Sequence, residues 1–117
     1  APAGSLSGGN QQKVVLAREV SREPKILIAA QPTRGLDISA VEFVHRKLLE
    51  SRDSGVAILM ISTELEECLS LSDRLAVMHQ GRIMGVMNRE EYDVEKIGLM
   101  IAGVHDGERK NEDKTER

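Results

Sequence analysis

Leu6-Ser7-Gly8-Gly9-Asn10-Gln11-Gln12-Lys13 places a hydroxyl and two glycines directly before a run that reads as helix, Gln11 to Val20. A helix N-terminus carries unpaired N–H donors and partial positive charge. Glycines without Cβ let another group approach the backbone. Ser7, Gly8 and Gly9 at this helix start therefore form a candidate anion site, and phosphate is the usual anion there. The plain alternative is a serine-capped surface helix behind a flexible leader. Two further segments carry polar groups just beyond apolar runs: Gln31-Pro32-Thr33-Arg34-Gly35-Leu36-Asp37 and Ser62-Thr63-Glu64. Each sits where a buried strand would deliver its last residues to a site.

Apolar residues make up 40% of the chain and charged residues 30%, the mix of an ordinary globular domain. Its 117 residues suffice for one small domain. Phe43 and Tyr92 are the only aromatics, so the core must be aliphatic and base-stacking platforms are excluded. A net charge of −3 gives no footprint for nucleic acid or an anionic membrane. The single cysteine, Cys68, rules out an internal disulfide and a Cys-rich zinc site, and reads as a small buried thiol. No stretch has the length of a transmembrane helix. No metal site is expected from these residues.

The elements that position these groups follow in order. The first helix ends near Ser21 to Glu23, before Pro24, and its apolar residues cover more than one face, which predicts substantial burial. Lys25 to Ala30 and Val56 to Ile61 are continuous apolar runs, the pattern of parallel strands covered on both faces. Between them a helix runs from Ile38 or Ser39 to Arg52, capped by Asp37 or Ser39 and stopped at Gly55. A short helix spans Leu65 to Leu71. Arg74 to His79 and Arg82 to Met87 form a hairpin about Gln80-Gly81. A last helix covers Asp93 to Ala102. The alternation indicates an α/β fold, a mostly parallel sheet flanked by helices and ending in a short antiparallel hairpin. The domain is expected over residues 1–104, with a charged, disordered tail over 105–117. The low strand count and the opening on a functional-looking helix start predict a piece of a larger domain.

Three elements in fixed order carry a resemblance: LSGGNQQK opening a helix, an apolar strand ending in AAQPTRGLD, and one ending in ISTELEE before SDRLAVMHQGRI. Together they resemble the C-terminal part of an ATP-binding cassette (ABC) ATPase domain, a partial P-loop NTPase fold. LSGGNQQK looks like the signature motif, ILIAAQPTRGLD like the Walker B strand and D-loop, and ILMISTELEE like the switch segment. GGNQQK with PTRGLD is most similar to the second cassette of ATP-binding subunits of simple-sugar and nucleoside importers.

The resemblance implies that Ser7, Gly8, Gly9, Asn10 and Gln11 bind the γ-phosphate of an ATP held by another cassette, and that Asp37 makes contacts across the interface. It also sets three departures in view. Ala30 and Gln31 stand where the family has Asp-Glu, and Thr63 stands at the switch-histidine position. Alanine has no oxygen for the Mg²⁺ shell, and glutamine cannot take a proton from water. Each has a plain structural reading: Ala30 as a core strand residue, Gln31 as a loop cap, Thr63 as an N-cap in a capping box with Glu66. No Walker A sequence is present; Gly4 to Gly9 lacks the lysine.

The implied function is an ATP-binding subunit of an ABC importer, hydrolysing ATP to drive uptake. This chain supplies the signature in trans, while its own hydrolytic site is degenerate and no catalytic residue is intact. ATP and Mg²⁺ belong to the complete transporter and are not expected to bind this chain tightly by itself. Implied partners are another cassette, transmembrane permease subunits and, indirectly, a substrate-binding protein, at the cytoplasmic face of the membrane. Exposed sheet edges also predict self-association of the isolated chain. The alternatives are a non-hydrolytic nucleotide-sensing cassette and an α/β interaction module.

Overall fold

The computed structural model describes residues 8–104; Ser7 and the tail over 105–117 lie outside the described residues. The element order is α1 (Gly8–Ser21), β1 (Ile26–Ala30), α2 (Ile38–Asp53), β2 (Ala57–Ile61), α3 (Leu65–Leu71), β3 (Arg74–His79), β4 (Arg82–Asn88), a 3-10 turn (Arg89–Glu91) and α4 (Val94–Ile101). The chain divides into two compact units, one through Leu71 and one from Ser72.

In the first unit β1 and β2 pair in parallel, Ile26 opposite Ala57 through Ala30 opposite Ile61. Leu27 of β1, Leu16 of α1, and Val44 and Leu48 of α2 form its buried core, with Ala29, Ile58 and Met60 packed against it. Strand residues alternate across the pleat, so one face of the pair meets both helices. The other face is bare: Ile26, Ile28, Leu59 and Ile61 are at least half exposed. Continuous apolarity predicts strands covered on both faces; among the described residues one face has cover. The same geometry corrects the expectation for α1. It buries Leu16, while Val14 and Val15 are exposed, because the helix meets a layer on one side only.

Helix α1 starts at Gly8, three residues earlier than the apolar run suggests, so both glycines lie in its first turn. They are not equivalent. A Cβ at Gly9 would stand 3.0 Å from Cβ of Ala40, whereas one at Gly8 would meet open space. Gly9 therefore sets how closely α1 approaches α2. Asp37 caps α2, its carboxylate accepting the Ala40 N–H at 2.8 Å. The chain leaves α2 through Gly55 at φ 103°, a left-handed conformation that glycine adopts without steric cost.

The second unit pairs β3 and β4 antiparallel, with a register shift between Val77 and Met78. Gln80 and Gly81 both take positive φ, 48° and 78°, the signature of the type I′ turn. Leu75, Val77, Met84, Met87, Ile97 and Met100 are its buried apolar residues. Among the described residues no helix is long and apolar enough to cross a membrane.

Leu48 is 4% exposed at the centre of the first core. Leu48→Ala is expected to lower unfolding free energy by about 2–5 kcal/mol, the range for a cavity of that size. Gly9→Val is expected to cost about 1–3 kcal/mol by overpacking α1 against α2, while Gly8→Val meets no such contact. Thermal and denaturant melts of the three variants check both.

Candidate functional site

The site is organised by the loop that follows β1. Gln31 continues the parallel ladder for one residue, its N–H donating to Ile61 O at 2.7 Å. Its backbone then turns left-handed at φ 48°, an uncommon conformation for a residue with a side chain. That turn brings the Gln31 amide oxygen to the end of β2, where it accepts from Thr63 N at 3.3 Å and, at 3.5 Å, from the Thr63 hydroxyl. The next residue, Pro32, offers its carbonyl to Gln12 Nε2 of α1 at 2.8 Å. Thr33 donates its hydroxyl to Glu67 Oε2 of α3 at 2.5 Å. The same carboxylate oxygen meets His45 Nε2 of α2 at 2.5 Å.

Glu67 is almost fully buried, its side chain 5% exposed. Burial pushes its carboxyl pKa up, but the hydrogen bonds from His45 and Thr33 outweigh this and hold it below the usual value. Its other oxygen, Oε1, is buried with no hydrogen-bond partner among the described residues. The adjacent Cys68 thiol is raised by burial and by the charge on Glu67; it is a buried thiol, not an activated one. Gln31, Thr33, His45, Thr63, Glu64 and Glu67 are among the residues lining one open cavity of about 500 Å³.

Of the sequence-predicted residues, the structure brings Gln31 and Thr63 together. Ala30 stands beside them, opposite Ile61 at the strand end. Thr63 does not cap α3: that helix begins at Leu65, the Glu64 N–H is taken by Ser62 Oγ at 3.0 Å, and Thr63 turns to Gln31. Gly8, Gly9, Asn10 and Gln11 form the first turn of α1, joined to the Gln31 loop through Gln12. Ser7 lies outside the described residues. Asp37 is committed to the α2 cap. Among the described residues no group of three His, Cys, Asp or Glu could hold a metal ion.

Sequence reasoning missed Glu67, Thr33 and His45. One signal was present, a glutamate beside Cys68 and four residues before Leu71 on the same short helix. Its partners lie 34 and 22 residues upstream, with nothing local to link them.

No family model matches the chain. The chain is 56% identical over 101 residues to the guanosine import ATP-binding protein NupO of Bacillus subtilis, and 50% identical over 101 residues to the nucleoside import ATP-binding protein NupA of Lactococcus lactis. It is 49% identical over 100 residues to the ribose import ATP-binding protein RbsA of Streptococcus agalactiae. Each alignment covers 86% of this chain and 20% of the relative. Among solved structures, an ATP-binding cassette of an ABC transporter, MJ1267, superposes with a TM-score of 0.73 at 26% identity, over 86% of this chain and 40% of that one. The cassette MJ0796, solved as a dimer with ADP and phosphate, shares the fold with a TM-score of 0.67 at 24% identity, over 76% of this chain and 38% of that one.

The chain belongs to the ABC ATPases. It spans about a fifth of the length of the curated relatives it matches. Residues 8–104 have the expected P-loop cassette fold class, with a parallel pair and an antiparallel hairpin.

A carboxyl whose folded pKa is depressed stabilises the fold above its unfolded pKa and loses that contribution as pH falls through the folded value. Glu67→Gln is expected to cost about 1–3 kcal/mol at pH 7, the range for losing hydrogen bonds to a charged group. The gap to wild type should close as pH falls below 4.5, the ordinary value for this carboxyl. Paired melts of the two proteins across pH 3–7 check the sign.

Proposed function

We propose that this chain supplies the signature wall of an ATP site in the ATP-binding subunit of an ABC importer, with a nucleoside as cargo ahead of a simple sugar. One observation carries the reading. GGNQQK opens α1, in a chain 56% identical over 101 residues to a guanosine import ATP-binding protein, and Leu6-Ser7 precede it in the sequence. The order of relatives puts nucleosides before ribose.

The first turn of α1 suits a phosphate. Gly8 and Gly9 present N–H groups at a helix start, and open space lies where a Gly8 side chain would stand. Ser7, from the sequence alone, adds a hydroxyl donor. ATP, when bound, brings the phosphoryl group that water attacks. In this reading the ATP is held by the Walker A loop of a second cassette, and α1 closes over it. Permease subunits hold the pair at the cytoplasmic face of the membrane, and a binding protein delivers the cargo to them. The bare apolar face of β1 and β2 needs cover, which the remainder of a cassette would give.

The residues at the chain's own Walker B end do not fit Mg²⁺ chemistry. Ala30 has no side-chain oxygen, and the Gln31 oxygen is spent on Thr63. Gln31 can hydrogen-bond a water but cannot deprotonate it. Thr63, tied to Gln31, replaces an imidazole with a neutral hydroxyl. These three residues support a poor hydrolytic site here, and in this reading the competent site is the one completed by the signature. A cassette pair that binds nucleotide without hydrolysing it is the second reading, and the same three residues favour it.

Two measurements on the full-length subunit test this. Gly8→Asp should fold normally, since the site is open and a first-turn carboxylate suits the helix dipole. It should nevertheless cut ATP hydrolysis and guanosine uptake roughly a hundredfold or more, because a like charge then faces the phosphate. Unchanged turnover would sink the trans role. Ala30→Asp combined with Gln31→Glu should not be needed for transport, and site-resolved nucleotide trapping on the native protein should find hydrolysis at one site. Equal rates at both sites would refute the asymmetry, and none at either would favour the non-hydrolytic reading.

A further inference from the structure

Three consecutive residues of the post-β1 loop are each bound to a different segment. Gln31 is bonded to Thr63 at the end of β2, Pro32 to Gln12 of the signature helix α1, and Thr33 to Glu67 of α3. Proline at the centre fixes φ and stiffens the run, so its members shift together. Beyond it the same loop reaches Asp37, which holds the first turn of α2.

We propose that Glu67 is a positioning residue: through Thr33 it fixes the Gln31–Asp37 loop, and so sets the signature turn of α1 in register with the Thr63 segment. This rests on the reading of the chain as the signature half of an ATP site. The geometry argues for more than a surface contact. A single carboxylate oxygen takes both the Thr33 hydroxyl and His45 Nε2, joining loop to α2 at one point. The carboxylate is almost wholly removed from water, where a buried charge is retained only if hydrogen-bonded. Loss of the Thr33 hydroxyl therefore removes one of the loop's three ties while leaving every apolar contact of the core in place. With that tie gone, Pro32 holds Gln12 at a less fixed point, and the α1 turn loses part of its reference. A shift of about 1 Å in a group that aligns reactants is enough to cost orders of magnitude in rate.

The test uses the full-length subunit in the assembled transporter. Thr33→Val keeps the shape and removes the hydroxyl; Thr33→Ser keeps the hydroxyl. Thr33→Val is expected to lower kcat for ATP hydrolysis about tenfold or more with KM for ATP changed less than about twofold. Thr33→Ser should restore kcat to within about twofold of wild type. Glu67→Gln should behave like Thr33→Val, and the double variant should be no worse than the poorer single, as expected for one unit. Wild-type kcat in Thr33→Val, or a loss in Thr33→Ser as deep as in Thr33→Val, overturns the proposal. If Thr33→Val does not stay folded at assay temperature, Gln12→Ala cuts the neighbouring tether and carries the same expectation and the same refutation. Gly8→Asp in the same assay separates the two ideas. An inactive Gly8→Asp beside a fully active Thr33→Val overturns the positioning role alone; an active Gly8→Asp overturns the underlying reading with it.

Discussion

A chain leaving a parallel strand must place its backbone polar groups somewhere, and here the solution at the end of β1 governs the rest of the first unit. Gln31 turns left-handed, and the three residues that follow the strand are each taken by a different partner. The partners are a strand end, α1 and α3. The two neutral bonds are worth about 1 kcal/mol net each, and the Thr33 bond to the Glu67 carboxylate about 1.5–3 kcal/mol. Their effect comes from sharing one short, proline-stiffened segment. The loop cannot move toward one partner without leaving another.

Burying Glu67 in this arrangement has a cost and a consequence. A carboxylate removed from water is tolerated only while its hydrogen bonds outweigh desolvation, and here they do so enough to hold its pKa down. Burial, joined by the same charge, raises the neighbouring Cys68 thiol, which keeps that cysteine protonated and inert. An apolar residue in place of Glu67 would avoid the desolvation, but it would offer Thr33 and His45 nothing to bond. What the carboxylate adds is a defined position for the loop.

Much of this was legible in the sequence where the signal was local. Element boundaries follow from Pro24, Asp37, Gly55 and Gln80-Gly81, whose backbone preferences act within a few residues. The family resemblance came from three motifs in order. What could not be read was any pairing over distance: Thr33 and His45 meet Glu67 across 34 and 22 residues, and no periodicity announces them. Hydrophobic continuity likewise says that a strand can be covered on both faces, not that it is. Ile26, Ile28, Leu59 and Ile61 are exposed because α1 and α2 pack on the opposite side.

The positions that depart from the family pattern gain a physical account from the same loop. In the proposed function, Gln31 and Thr63 mark a lost hydrolytic site, yet the two side chains are bonded to each other. A carboxylate at Gln31 would accept the same Thr63 donors while carrying a charge beside Glu64. The neutral amide makes that bridge without the added repulsion, which holds the strand ends together more firmly than it prepares water for attack. A site that gives up proton transfer can retain its value as a brace. Under this reading the loop still serves the signature helix through Pro32 and Gln12, so loss of chemistry on one side of the loop is compatible with function on the other.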